Sequence, residues 1–163
     1  MKNFKLITSA LLVLFISVLF SCKSFLEIDP YGKADADQYY STEEEVSLAL
    51  VAAYDMIHSD QLNGWSSAVF IKQLPSDGTN CGGGGASDQP QYQDLDDFNW
   101  NPENDGIKAF YQVNYYGIYR CNLIINNTTA ESALVDRLIA EAKFLRAYFY
   151  FELNVAYGGV PLW

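Results

Sequence analysis

The chain has 163 residues, with 10 Lys and Arg against 20 Asp and Glu, and a formal charge of −10. Nucleic-acid binders carry a basic patch, so this balance excludes that class, and it gives no charge-based hold on an anionic lipid surface. Its 12 Tyr, 10 Phe and 3 Trp exclude a disordered acidic tail, which would be poor in aromatics.

The first element is a leader. Lys2 and Lys5 form a short positive segment, and Leu6 to Phe20 is almost wholly apolar, broken only by Thr8, Ser9 and Ser17. A bilayer span needs ~20 residues; this run suits the apolar centre of a secretory signal, for which ~7–15 residues are usual. It ends in Leu19-Phe20-Ser21-Cys22, which resembles a lipobox: apolar, variable, small, cysteine. The thiol of Cys22 would take a diacylglycerol, after which cleavage before it would free its amine for a further chain such as palmitate. Three acyl chains exceed the two signals that make anchoring stable. The alternative is an uncleaved signal anchor with an incidental cysteine. The predicted division is 1–21 signal peptide, 22–40 lipidated tether, and 41–163 folded helical domain. Asp29, Pro30, Gly32, Asp35 and Asp37 keep the tether irregular, and Tyr39 and Tyr40 are expected to pack.

Ser41-Thr42-Glu43-Glu44 has the spacing of a capping box, with Ser41 as N-cap and Glu44 reaching back. Val46, Ala49, Leu50, Ala53, Tyr54 and Ile57 follow at helical spacing, so a helix is predicted over about 42–58. His58 falls at its end, where a cation suits the dipole. Residues 62–74 are ambiguous: Trp65, Val69, Phe70 and Leu74 suit a helix opened by Ser66-Ser67 and closed by Pro75. A loop over 75–103 comes next, with four consecutive glycines from Gly82 and a polar, acidic, aromatic run from Asp88 to Glu103. Loops this long are often functional.

Asn104 or Asp105 can cap a third helix, carried to about 126 by Ile107, Phe110, Tyr111, Val113, Asn114, Gly117, Ile118, Cys121, Ile124 and Ile125. After a turn at 126–129, Leu134, Leu138, Ala142, Leu145, Phe149, Leu153 and Tyr157 define a last helix, ended by Gly158-Gly159 and Pro161. Consecutive Phe149, Tyr150 and Phe151 require neighbours on several sides. The predicted fold is all-α, with tetratricopeptide-like antiparallel helical pairs and long irregular loops. No internal repeat at that family's period is visible, and the fold is expected to be incomplete at its C-terminus. An aromatic face on the last helix would then favour aggregation.

Glu141-Ala142-Lys143-Phe144-Leu145-Arg146-Ala147-Tyr148-Phe149-Tyr150-Phe151, followed by Tyr157-Gly158-Gly159-Val160-Pro161-Leu162, resembles the hallmark of the SusD/RagB family. The segment from Thr42 to Tyr54 is similar to that family's first helix. Tyr111 to Asn122 is similar to its aromatic helix ending in Arg-Ala-Asn, with Cys121 in place of the small residue. The resemblance implies a surface-facing outer-membrane lipoprotein, held in lipid through Cys22. It implies binding of a nutrient, often an oligosaccharide, and service as the lid of a SusC-like TonB-dependent transporter. It implies no enzymatic activity and no cofactor.

Sugars are bound by flat aromatic faces with amides or carboxylates fixing hydroxyls. Trp100, Asn101, Tyr92, Asn99 and Trp65 are therefore the ligand-binding candidates, with Phe98 beside them; Trp100 leads because it lies in a polar loop. The plainer reading is that Trp100 and Phe98 pin the loop to the helices. Arg120 and Arg146 are expected to make internal bonds, with Glu141 as the most plausible partner. The loop carboxylates do not have calcium-loop spacing, and no metal ligand set is assigned. Cys81 and Cys121 are an even pair in an oxidising compartment, and whether they join is open. Two alternatives stand beside the binding function: a surface glycan hydrolase using Asp96 or Glu103, and a helical scaffold lipoprotein without a small ligand.

Overall fold

The structure is a computed structural model, and it describes residues 39–61, 68–85 and 87–163. The predicted signal segment, Cys22, the predicted tether up to residue 38, and Trp65 lie outside the described residues. Five helices follow in order among the described residues: α1 Glu43–Gln61, α2 Ala68–Gln73, α3 Pro90–Asp96, α4 Asp105–Asn127 and α5 Ala133–Tyr157. Among the described residues there is no strand, and no helix is long and apolar enough to cross a membrane. The all-α expectation holds.

α1, α4 and α5 pack around one core. Its buried members include Val46, Leu50 and Ala53 of α1, Ile118, Cys121 and Ile124 of α4, and Leu145, Phe149 and Leu153 of α5. Cross-links between α4 and α5 fix their direction: Ile107 O meets Tyr157, and Asn122 meets Arg146. The start of one helix therefore lies beside the end of the other, the expected antiparallel pair. The two approach most closely at Gly117, where a Cβ would stand 2.5 Å from two ring carbons of Phe149. α1 also runs antiparallel to α4, since Tyr40 O accepts from Thr129 N and Ala52 O from Arg120.

The caps explain the boundaries. Ser132 accepts from Val135 N at 3.2 Å and Asn104 accepts from Ile107 N at 3.1 Å, each satisfying a backbone donor of a first turn. At α1 the capping box is one residue later than predicted. Glu45 Oε2 accepts from Thr42 N at 3.0 Å, and Glu45 N donates to Thr42 Oγ1 at 3.2 Å. The sequence holds two overlapping Ser/Thr-x-x-Glu frames, and pattern alone does not choose between them. On α5, Val135 is buried where Leu134 was expected. Gly158, at φ 74°, turns the chain out of α5, a conformation that favours glycine.

The long loop departs most from expectation. Pro90 starts α3, and Tyr92 and Leu95 turn inward to form a second, smaller core with Leu74. Phe70, Ile71, Cys81 and Ile107 pack against it. Phe70 and Tyr92 stack with ring centroids 4.6 Å apart. A pair of apolar residues three apart is too short a signal to read against acidic surroundings. α2 takes up Ala68–Gln73 of the 62–74 prediction, whose residues 62–67 lie outside the described residues; Ala68 and the Leu74 that follows the helix are buried, and Val69 is exposed.

Candidate functional site

A groove of about 840 Å³ opens where the small core meets the helical core. Its walls come from four helices, α3 among them through Leu95, and one loop. α2 supplies Ile71 and Lys72; the loop after α3 supplies Trp100, Asn101 and Pro102; α4 supplies Ile107, Lys108 and Tyr111; the end of α5 supplies Val155 and Tyr157. Most of this lining is apolar or aromatic, with a few polar groups among it, the usual make-up of a small-ligand site.

Each wall is held from behind. Trp100 is 55% exposed, yet its Nε1–H donates to Leu95 O at 3.3 Å and its ring leans on Phe98 at 5.9 Å. It thus pins the loop and still presents a face to the groove. Tyr157 donates its hydroxyl to Ile107 O at 2.6 Å, and Tyr111 meets its ring edge-on at 5.3 Å. Tyr111 in turn lies 4.6 Å from Tyr115. Lys72 Nζ forms an ion pair with Glu152, whose carboxylate is buried. A buried carboxylate is costly unless it is paired, and this pair ties α2 to α5. Lys108 Nζ meets Glu103 Oε2 at 3.0 Å, at the surface.

The sequence candidates divide. Trp100 and Asn101 both line the groove; Asn101 also accepts from Glu103 N at 2.9 Å through its side chain. Tyr92 does not offer a face, because it is buried in the small core and stacked on Phe70. Asn99 lies outside the lining, its amide donating to Asp94 Oδ1 at 3.3 Å. Trp65 lies outside the described residues. The pattern missed Tyr111, Tyr157, Lys72 and Lys108. Tyr111 and Tyr157 were assigned to core stripes, and only the antiparallel packing of α4 on α5 shows that they sit at its open end.

The hallmark segments are structural. Arg146 donates to Asn122 Oδ1 at 2.8 Å, and Arg120 bonds Ala52 O with Asp55 3.8 Å away, so neither arginine uses Glu141. Glu141 instead pairs with Arg137 at 2.9 Å and accepts from the Tyr54 hydroxyl at 3.3 Å. The segment after α5 is stapled back onto the helices. Tyr115 donates to Pro161 O at 2.8 Å, and Trp163 N donates to the Tyr150 hydroxyl at 2.7 Å. Burial, and then a hydrogen bond with Tyr111, holds the Tyr115 hydroxyl well above its ordinary value, so it remains a donor.

Cys81 and Cys121 are both free thiols. Cys121 is buried in the main core and Cys81 borders the small one. Burial pushes the Cys121 thiol up to about 11, with Arg146 partly opposing. Asp96 accepts from Cys81 N at 3.0 Å, and Glu103 is paired with Lys108. Both carboxylates named for a hydrolase are thus engaged in holding the loop.

The sequence profile of a family described as SusD-like, starch-binding associating with outer membrane, matches residues 24–163. The chain belongs to the SusD-like family. Among curated proteins of Formosa agariphila, SusD-like protein P38 is 31% identical across 99% of the chain. SusD-like protein P25 is 26% identical over 93% of it, and SusD-like protein P2 24% identical over 99%. The chain spans about a third of the length of these relatives, 31%, 30% and 31% respectively. No solved structure matches this SusD-like chain with comparable significance.

Proposed function

We propose that this SusD-like chain belongs to a nutrient-binding surface lipoprotein, anchored by lipid on Cys22. It takes oligosaccharide in the groove beside Trp100 and acts as the lid of a TonB-dependent outer-membrane transporter. The match of residues 24–163 to a starch-binding, outer-membrane-associated family carries this reading. The groove supports it: Trp100 and Tyr111 offer ring faces for sugar C–H surfaces, and Asn101, Gln112 and Lys108 offer polar groups for hydroxyls. The role is binding without turnover. Glu103 and Asp96, the carboxylates considered for hydrolysis, already have loop partners.

Three measurements test the reading. Calorimetry of the purified chain against oligosaccharides should show binding without hydrolysis, reduced about tenfold or more by Trp100→Ala, as expected for loss of an aromatic anchor. Mass spectrometry of the membrane-extracted protein should find an acylated N-terminal Cys22. Affinity purification from detergent-solubilised outer membranes should recover a TonB-dependent barrel. Absence of any oligosaccharide binding, with no barrel recovered, would overturn the proposal and leave the scaffold reading.

A further inference from the structure

The charged side chains that line the groove are basic, in a chain that is acidic overall. The whole sequence carries −10, yet two of the groove's lining residues are lysines, Lys72 and Lys108, and none of its described lining residues is Asp or Glu. The two ammonium groups differ in what holds them. Lys72 is locked to Glu152, whose side chain is only 4% exposed. Breaking that pair would leave a charge stranded in the core, so Lys72 stays where it is. Among the described residues the Lys108 ammonium is held by Glu103 alone, whose side chain is 87% exposed. An ion pair in water of that kind contributes little and exchanges readily.

We infer that the groove takes an acidic oligosaccharide, one bearing uronate carboxylates, and that a ligand carboxylate displaces Glu103 from Lys108. This rests on the oligosaccharide-binding reading and names the sugar class. The Lys108 ammonium already accommodates a carboxylate oxygen at 3.0 Å, so a uronate reproduces a geometry that the site holds in its free form. Trp100 and Tyr111 lie along the same groove and take the ring of that sugar or of its neighbour. Glu103 is then a competitor built into the chain. It keeps Lys108 paired when the groove is free, and it sets a threshold that a neutral sugar has nothing to gain by crossing.

The test is calorimetry of the full chain with a uronate hexasaccharide and a neutral glucan hexasaccharide, at low and high salt. The wild type should bind the uronate tighter, with an advantage that shrinks at high salt as charges are screened. Lys108→Gln should cut uronate affinity about tenfold, the scale of a charged hydrogen bond. Glu103→Gln should raise the uronate-to-neutral affinity ratio several-fold, a gain that misfolding does not imitate. Equal or tighter binding of the neutral glucan, or a ratio unchanged or lowered in Glu103→Gln, overturns the inference and leaves oligosaccharide binding in place. Binding of neither sugar overturns both.

Discussion

Gly117 is where the helical core is tightest, and replacing it with alanine gives a sharp measure of how α4 meets α5. A methyl group there would lie 2.5 Å from Phe149 Cε2 and Cζ and 2.7 Å from Cδ2. Carbon atoms prefer ~3.5–4.0 Å, so the ring or the helix must move by about 1 Å. Phe149 is fully buried in the core that α1, α4 and α5 share. Overpacking of this kind costs ~1–3 kcal/mol, while exchanging glycine for alanine inside a helix returns ~1 kcal/mol. With three ring carbons in conflict the upper part of that range applies, and the net loss should be about 2 kcal/mol. For a chain of this size that lowers the melting temperature by roughly 4–8 °C. The assay is thermal unfolding followed by circular dichroism, with Phe149→Leu and the double variant alongside. Phe149→Leu should be destabilising alone yet absorb most of the cost of Gly117→Ala, a non-additivity confined to neighbours in contact. A more stable Gly117→Ala variant, or simple additivity in the pair, would refute the close approach.

Thr42→Ala should lose about 1 kcal/mol, the typical worth of an N-cap, whereas Ser41→Ala should lose less; equal losses would contradict the shifted capping box. Hydrogen bonds from Thr42 and Ser41 hold the Glu45 carboxyl below its ordinary 4.5, so the stability it lends is present above that pH and fades as pH falls through the lower folded value, which an acid titration of the melting temperature would follow. Cys121 behaves oppositely. Its thiol is raised from 9.0 to about 11, so above pH 9 the unfolded chain ionises first and stability should fall between pH 9 and 11, less steeply in Cys121→Ala. In the native protein at pH 8, iodoacetamide should label Cys81 well before Cys121, with Cys121 reacting only on unfolding; equal rates would contradict its burial. Phe144 and Phe151 are 70% and 61% exposed on one side of α5, and exposed apolar patches drive association. Replacing both by serine should raise solubility while moving the melting temperature little, and unchanged light scattering would sink that expectation.

The three long helices were legible because their apolar residues recur over many turns and their ends carry Ser, Thr, Asn or Gly in capping positions. Val46, Phe110, Leu145 and Phe149 are buried as their spacing requires. The boundary of α1 moved because two cap frames overlap, a choice made by three-dimensional fit. The site was half legible. Trp100 stood out as an aromatic in a polar loop, and Asn101 beside it came along. Tyr92, chosen by the same argument, is buried, since its neighbour Leu95 makes a helix face that a seven-residue element barely announces. Tyr111 and Lys108 of α4 and Lys72 of α2 were not found because the groove joins helices far apart in sequence, and only tertiary packing brings them together. Arg146 and Arg120 were rightly assigned to internal bonds, but their acceptors are distant in sequence and share no local spacing with them.

The small core of Leu74, Tyr92 and Leu95 has a consequence for timescale. It is built from short helices and loop chain, with Ile107 of α4 packed against it. Units of this size open far more often than three long packed helices do. Amide exchange should therefore be fast across α2 and α3 and slow in the middle of α4 and α5. The groove has one wall in each regime, so a ligand that bridges Trp100 and Tyr111 slows exchange on the quick side most. The protein would register a bound sugar as a region that stops breathing, and a partner surface would meet a firmer edge when the groove is full.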